Sequence, residues 1–362
     1  ANPYDMTKPF NNRAQAIKKA IQNSDPDETI LIAGKGHEEQ QIYKNKIIKI
    51  SDKKIIKKLK LKKKFLNKKE KNFLQNKLIL EKILNKTKSI NFDGISIDTR
   101  SMKKNNLFLA LKGKNIDGNK FIYDALKKGA GCVVTSLKIK KKNRKIIEVN
   151  NPIYFLNNFA KIKRDRTSAK IIAITGSAGK TSLKNLIRDL LANFGKTYSS
   201  PKSFNNDLGV PISLSNLSAE DKFGVFEVGM SRPGEIKNLT KLIKPHFGVI
   251  TNIGEAHLEN FKSIKGIAKA KSEIIEKIKT GGTIILNRDD KFFNYLAKKA
   301  RKNNLKISTF GFNKKSDVHV IKIIKRNNFS KIFVKVYNQK IGLEIKDINI
   351  YNVLCSLTIL KM

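Results

Sequence analysis

The run Lys170-Ile171-Ile172-Ala173-Ile174-Thr175 feeds directly into Thr175-Gly176-Ser177-Ala178-Gly179-Lys180-Thr181, and helical spacing follows over 180–194. This strand, glycine turn and helix constrain the chain more than any other feature. A short continuous apolar run bounded by a turn reads as a strand covered on both faces, the habit of parallel sheets. Further strands predicted at 224–227, 247–251 and 283–287 alternate with helical stretches. The expected fold class is therefore α/β, with a mostly parallel central sheet and helices on both faces. Residues 316–346 read as β-hairpin strands, and 349–362 begin a final helix. In such a turn the backbone N–H groups and the helix amino end can cradle phosphate oxygens. Lys180 would neutralise the β- and γ-phosphates, and the Thr181 hydroxyl would ligate Mg²⁺. The strict G-x-x-x-x-G-K-[ST] pattern is not met, because Ile174 stands at its first glycine. The candidate cradle is Thr175, Gly176, Ser177, Ala178, Gly179, Lys180, Thr181 and Ser182, with ATP and Mg²⁺ as expected cofactors.

The 362 residues carry 75 Lys and Arg against 30 acids, a formal charge of +45. Such a charge would ordinarily point to nucleic acid. Only 10 of the basic residues are Arg, the residue suited to forked phosphate and base recognition. The lysines spread along the whole chain among many Ile and Asn, as an A/T-rich codon drift would leave them. No nucleic-acid partner is expected, although the charge favours anionic substrates. No apolar run approaches the ~20 residues of a membrane span, so no membrane insertion is expected. Ala1-Asn2-Pro3-Tyr4-Asp5 is not a signal peptide. Cys132 and Cys355 cannot build a disulfide framework, which fits a cytoplasmic location. A start at Ala suggests a processed chain or a fragment.

Residues 1–52 read as a small αβ piece: a helix over 13–21, a strand over 29–33, and a glycine-bearing loop at Gly34-Lys35-Gly36-His37-Glu38. Residues 53–88 hold 15 Lys against Glu70 and Glu81 and read as a solvated amphipathic linker of one or two helices. Residues 89–166 form a second α/β unit, with strands over 94–97, 107–111 and 131–135 and helices over 121–128 and 150–163. Residues 167–362 form the largest block.

Further candidates sit just past predicted strands. Glu227, in Phe226-Glu227-Val228-Gly229-Met230, occupies the place of a metal-ligating carboxylate. His257, in Ala256-His257-Leu258-Glu259, is a weaker metal candidate, because hard cations prefer oxygen. Lys271, in Ala270-Lys271-Ser272-Glu273, reads by itself as a solvated helix face. Asn287 and Asp290 could read adenine and ribose, or form a plain turn.

In order, these motifs resemble the ATP-dependent Mur ligases of peptidoglycan synthesis, and among them the branch that joins D-Ala-D-Ala to UDP-MurNAc-tripeptide. The resemblance covers 91–362. It rests on T-G-S-x-G-K-T, on Lys202-Ser203-Phe204-Asn205-Asn206-Asp207-Leu208-Gly209-Val210-Pro211, and on the stretches around Glu227, His257 and Lys271. It also rests on Asp98-Thr99-Arg100-Ser101, on Asn106 to Gly113, and on Asp117-Gly118-Asn119-Lys120-Phe121.

The resemblance implies a Mur ligase architecture: a P-loop-type central domain preceded by a small α/β UDP-sugar-binding domain. It implies catalytic roles for Lys180, Glu227, His257 and Lys271, with Lys271 carried as a carbamate. Thr181, Glu227, His257 and Lys271 would hold Mg²⁺. Asn287 and Asn352 match nucleotide-contacting positions, beside which the strand-end Asp290 is a further nucleotide candidate, and Thr99, Arg100, Asp117, Asn205 and Asn206 would contact the substrate. Asn119 stands where His is usual, Asn106 where Asp is usual, and Tyr351 where His usually precedes Asn352. Residues 1–52, through Asn12-Arg13-Ala14 and Leu31 to Glu38, resemble the carboxyl-terminal signature of another member of the same family. They would be a partial Rossmann-like remnant, and the whole an internal fragment of a two-enzyme fusion lacking the family's third domain. The oligomeric state is left open. The alternatives are a catalytically incomplete nucleotide-binding remnant or scaffold, and a folylpolyglutamate synthase-like ligase, which shares the phosphate loop.

Overall fold

The computed structural model describes residues 72–85, 90–113, 115–140, 143–256 and 258–362, together with Ile17, Gln41–Tyr43 and Lys46–Ile48. The chain divides into two compact units, 1–71 and 72–362. In the first, β1 (Gln41–Tyr43) and β2 (Lys46–Ile48) pair antiparallel, and Ile17 is helical and buried. The rest of the helix expected over 13–21, the strand over 29–33 and the loop at Gly34 to Glu38 lie outside the described residues.

The second unit opens with a helix over 72–84. The linker expected over 53–88 is corrected over 72–84 only; residues 53–71 and 86–88 lie outside the described residues. Ile79 and Leu80 are fully buried and pack with Phe92, Ile95, Leu107 and Phe159. The apolar stripe of this helix thus faces a core, and only its other side is solvated.

That core backs a four-stranded parallel sheet in the order β3 (Ile95–Ser96), β4 (Leu107–Leu109), β5 (Cys132–Thr135) and β6 (Ile146–Glu148). Helix Pro152–Arg166 follows, with Pro at its start and the Asn151 side chain accepting from the Tyr154 N–H at 2.9 Å. The strand β6 was not expected from sequence; it is three residues long and follows a polar lysine-rich stretch.

Lys163 on that helix is buried, and its ammonium donates to Asn76 Oδ1 at 2.7 Å and Asn72 Oδ1 at 3.1 Å. Neither partner is charged. Burial pulls its pKa down to about 7, with Asp221 opposing. The unfolded lysine titrates near 10.5, so between these values the unfolded chain binds the extra proton and stability rises with pH. Below pH 7 the full penalty is present. Unfolding free energy should climb from pH 7 to 9 by as much as about 1.4 kcal/mol per pH unit from this group. The measurement is urea unfolding of the wild type and Lys163→Met side by side, the variant showing the shallower slope.

Among the described residues the large sheet has nine strands, in the order Gln339–Ile345, Ser330–Val336, Val318–Lys325, Lys306–Gly311, Thr283–Asn287, Phe247–Ile250, Lys170–Thr175, Phe223–Glu227 and Thr197–Ser199. Its parallel part comprises β7 (Lys170–Thr175), β8 (Thr197–Ser199), β9 (Phe223–Glu227), β10 (Phe247–Ile250), β11 (Thr283–Asn287) and β12 (Lys306–Gly311). β13 (Val318–Lys325) runs parallel to β12 over a short register; β14 (Ser330–Val336) and β15 (Gln339–Ile345) then complete an antiparallel meander. Side chains alternate along β7: Ile171 and Ala173 join one core with Val210, Leu239 and Leu296, while Ile172 and Ile174 join the other with Leu183, Ile187 and Leu354. Helices thus cover both faces. Among the described residues no helix is long and apolar enough to cross a membrane.

Register then assembles the functional edge. Ile174 lies beside Glu227, Thr175 beside Ile250, and Ile250 beside Leu286. The carboxyl ends of β7, β9, β10 and β11 therefore open side by side, and the chain leaves β7 toward β9 on one side and β10 on the other. This is the switch point at which open α/β sheets place ligands.

Candidate nucleotide site

After β7 the backbone turns through Gly176, at φ +151°, and Gly179, at φ +79°, which caps helix Lys180–Leu191. Both conformations favour glycine. A Cβ on Gly176 would also lie 1.8 Å from Thr251 Oγ1, and one on Gly179 would lie 3.2 Å from Asn352 Oδ1. Gly176→Ala should therefore cost about 2–3 kcal/mol of stability, read as a fall in the urea midpoint.

The turn is strapped to the segment after β10. The Ser177 and Ala178 N–H groups both donate to Asn252 Oδ1, at 3.0 and 2.9 Å. Ser177 Oγ donates to the Gly254 carbonyl at 3.0 Å and accepts from its N–H at 2.8 Å. Thr251 Oγ1 donates to the Ala178 carbonyl at 2.7 Å. Asp290 anchors the strap, its carboxylate accepting from the Ile253 N–H at 2.7 Å and the Phe292 N–H at 2.8 Å.

Two ammonium groups converge on one carbonyl. Lys180 Nζ donates to Gly176 O at 2.8 Å, and Lys271 Nζ donates to the same oxygen at 3.0 Å. Lys271 is 3% exposed. Burial first, and Lys180 second, draw its pKa down to about 7. The expectation of a solvated helix face at Lys271 is thereby corrected, because helix Ile264–Lys271 ends by pointing this side chain at the turn. Lys180 is likewise pulled down by burial, with Glu227 opposing.

Glu227 is buried at the end of β9. Its Oε2 accepts from Thr181 Oγ1 at 2.8 Å, and its Oε1 accepts from Asn205 Nδ2 at 2.8 Å. Lys184 Nζ stands 3.6 Å from Oε2. A carboxylate and a hydroxyl in contact form a hard-oxygen pair of the kind Mg²⁺ takes when phosphate oxygens complete its shell. Among the described residues no group of three His, Cys, Asp or Glu could hold a metal by itself. His257 lies outside the described residues.

Two clefts meet at the turn. One, of about 580 Å³, is lined by Lys180, Lys271, Asn205, Asn206 and Met230. The other, of about 500 Å³, is lined by Gly179, Asn252, Asn287, Asp290, Asn352 and Phe310. Asn287 and Asn352, both largely buried, face this second cleft. Ser182 is exposed on the first helical turn. Thr99 and Arg100 are not part of either cleft; they line a more apolar cavity of about 410 Å³ with Phe108, Leu111 and Leu208. Arg100 grips Asp98 through two nitrogens, at 2.9 and 2.8 Å, and this pairing draws the Asp98 carboxyl down to about 2. Asp117 does not line that cavity. Its carboxylate caps the turn Gly118–Phe121 by accepting from the Asn119 N–H and Nδ2, and Asn119 Oδ1 in turn accepts from Thr135 Oγ1 at 2.7 Å. Sequence reasoning gave no role to Lys184 or Asn252. Lys184 had a usable signal, since it follows Lys180 by four residues on one helix face.

The chain matches the Mur ligase middle domain over 174–360 and the family's second model, described as the Mur ligase family catalytic domain, over 91–164. It is similar to a UDP-N-acetylmuramoyl-tripeptide--D-alanyl-D-alanine ligase of Buchnera aphidicola subsp. Baizongia pistaciae, with 37% identity over 269 residues, 73% of this chain and 57% of the relative. A ligase of the same description from Rickettsia prowazekii is 37% identical over 235 residues, 64% of this chain and 52% of the relative. The chain spans about half the length of the curated relatives it matches. Among solved structures, MurF from Acinetobacter baumannii superposes with a TM-score of 0.68 at 26% identity, covering 80% of this chain and 63% of that one. MurF ligase from Thermotoga maritima in complex with ADP gives 0.64 at 25% identity, covering 74% and 62%. With the middle-domain match running over more than half its length, the chain belongs to the Mur ligase family.

Proposed function

We propose that this chain carries the nucleotide site and the UDP-precursor site of an ATP-dependent ligase that adds D-Ala-D-Ala to UDP-MurNAc-tripeptide. The observation that carries this reading is the convergence of Lys180, Thr181, Glu227 and Lys271 on one glycine turn. The sheet edge supplies N–H donors, an ammonium and a hard-oxygen pair within one cleft, which suits a triphosphate. In the reaction, the tripeptide's terminal carboxylate oxygen takes the γ-phosphoryl group and ADP leaves. The amine of D-Ala-D-Ala then attacks the acyl phosphate, the C–O bond to phosphate breaks, and an amide forms with loss of a proton. The protein's task is to position these groups and to hold their charge.

Lys180 would lie along the β- and γ-phosphates and release its bond to Gly176 O. The N–H groups of Ser177 and Ala178, which donate to Asn252 Oδ1, would turn to phosphate oxygens. Asn287 and Asn352 would face the nucleoside, with Asp290 holding the strap that shapes their cleft. Thr181 and Glu227 would hold Mg²⁺, with His257 and Lys271 as further ligands; when bound, this cation would neutralise charge on the transferring phosphoryl group. Lys271 fits its part only as a carbamate. A large neutral fraction near pH 7 gives its amine the lone pair needed to add to CO₂, and the product is an anion. In ¹³C-bicarbonate at pH 8 a protein carbamate resonance should appear and be missing in Lys271→Met. Its absence from the wild type would remove this part of the reading.

The apolar cavity beside Thr99, Arg100 and Leu208 is the place for the UDP-precursor. Calorimetric titration with UDP-MurNAc-tripeptide in Mg·ADP tests it, since a folate-type ligase would not bind this ligand. Arg100→Ala should weaken binding by about tenfold, the loss of one charge-assisted contact. No heat from the precursor, with folate giving heat, would favour the alternative ligase.

A further inference from the structure

Lys184 lies one helical turn beyond Lys180 and is 1% exposed. An ammonium so deeply buried persists only where it is paired and hydrogen-bonded. It has two partners. One is Glu227 Oε2 at 3.6 Å. The other is the backbone carbonyl of Lys202, to which it donates a short hydrogen bond.

Lys202 is one of the few non-glycine residues in the left-handed region, at φ +46°. Such a conformation persists where its surroundings over-determine it, and the Lys184 bond is one such restraint. The segment that follows carries Asn205, which donates to Glu227 Oε1 and whose carbonyl accepts from the Gly229 N–H at 2.8 Å. Lys184 therefore ties the carboxylate at the end of β9 to the strand's neighbouring loop, and both carboxylate oxygens of Glu227 have protein partners.

The charge pattern gives this arrangement a consequence. Lys180 and Lys271 meet on the Gly176 carbonyl, and Lys184 stands beside the Glu227 carboxylate. With Lys271 as the carbamate of the reading above, Lys180 and Lys184 offset its charge and that of Glu227, so a dication approaching alone meets no net negative charge and finds Lys184 already beside the carboxylate it would bind. A triphosphate reverses that balance.

We propose that Lys184 is a positioning residue that holds Glu227 and the Lys202 backbone in place and keeps a divalent metal off Glu227 until phosphate is bound. This inference rests on the nucleotide reading above, and one experiment separates the two. Free Mn²⁺ is measured by electron paramagnetic resonance during titration of the wild-type chain, with and without ADP. Mn²⁺ should bind at least about tenfold more tightly with ADP. In Lys184→Met the nucleotide-free affinity should rise by about tenfold or more. The gain should vanish in K184M/E227Q, and Lys184→Arg should behave as wild type.

Equal Mn²⁺ affinity of the wild type with and without ADP, or no gain in Lys184→Met, overturns the proposal. If ADP itself does not bind, the nucleotide reading falls, while the comparison of nucleotide-free Lys184→Met with wild type still decides the role of Lys184. Should Lys184→Met fail to fold by circular dichroism, Lys184→Gln replaces it, and the wild-type comparison stands by itself.

Discussion

Lys180→Met should weaken ADP and ATP binding by about 100-fold while leaving the unfolding midpoint close to that of the wild type. The methionine keeps the unbranched stem and its packing, but removes the ammonium that now rests on Gly176 O at 2.8 Å. With nucleotide bound, that ammonium would make charge-assisted bonds to phosphate, each worth roughly 1.5–3 kcal/mol. A fluorescent nucleotide titration reads the affinity and a urea titration reads the fold. A loss of less than about threefold would place the triphosphate elsewhere.

Glu227→Ala should be the most damaging single change to the fold of the site. Removing one partner of a buried ion pair costs about 3–5 kcal/mol, because the other charge is left without compensation. Here Lys184 would be stranded, and Thr181 Oγ1 and Asn205 Nδ2 would both lose their acceptor. Urea unfolding should show the drop. Glu227→Gln retains an acceptor and most of the packing, so it should fold better than the alanine variant yet lose the Mg²⁺ dependence of nucleotide binding. A full Mg²⁺ response in Glu227→Gln would take Glu227 out of the metal site.

Strands with both faces buried were legible in the sequence because their apolar runs are continuous. β7 and β11 have the bounds the pattern gives, and β14 and β15 carry the alternation of hairpin strands. β6 and β8 escaped because three residues carry no period, and β12 because Lys306-Ile307-Ser308-Thr309 is half polar. Within the site, the glycine turn and Glu227 could be read because those residue types are chemically marked. Lysines could not. In a chain with 65 of them, Lys184 and Lys271 look like solvated helix faces, and tertiary packing shows that both are buried, Lys271 on the Gly176 carbonyl and Lys184 between the Lys202 carbonyl and Glu227. The helix over 72–84 misled for the same reason: its lysines signalled a linker, whereas Ile79 and Leu80 belong to a core.

Co-crystallisation with Mn²⁺ and a non-hydrolysable ATP analogue tests the site most directly. The anomalous manganese peak should fall within bonding distance of Thr181 Oγ1 and the Glu227 carboxylate, with Lys180 on the β- and γ-phosphates and the base between Asn287 and Asn352. A nucleotide ordered outside the two clefts, or a manganese peak that neither Thr181 nor Glu227 touches, would contradict it.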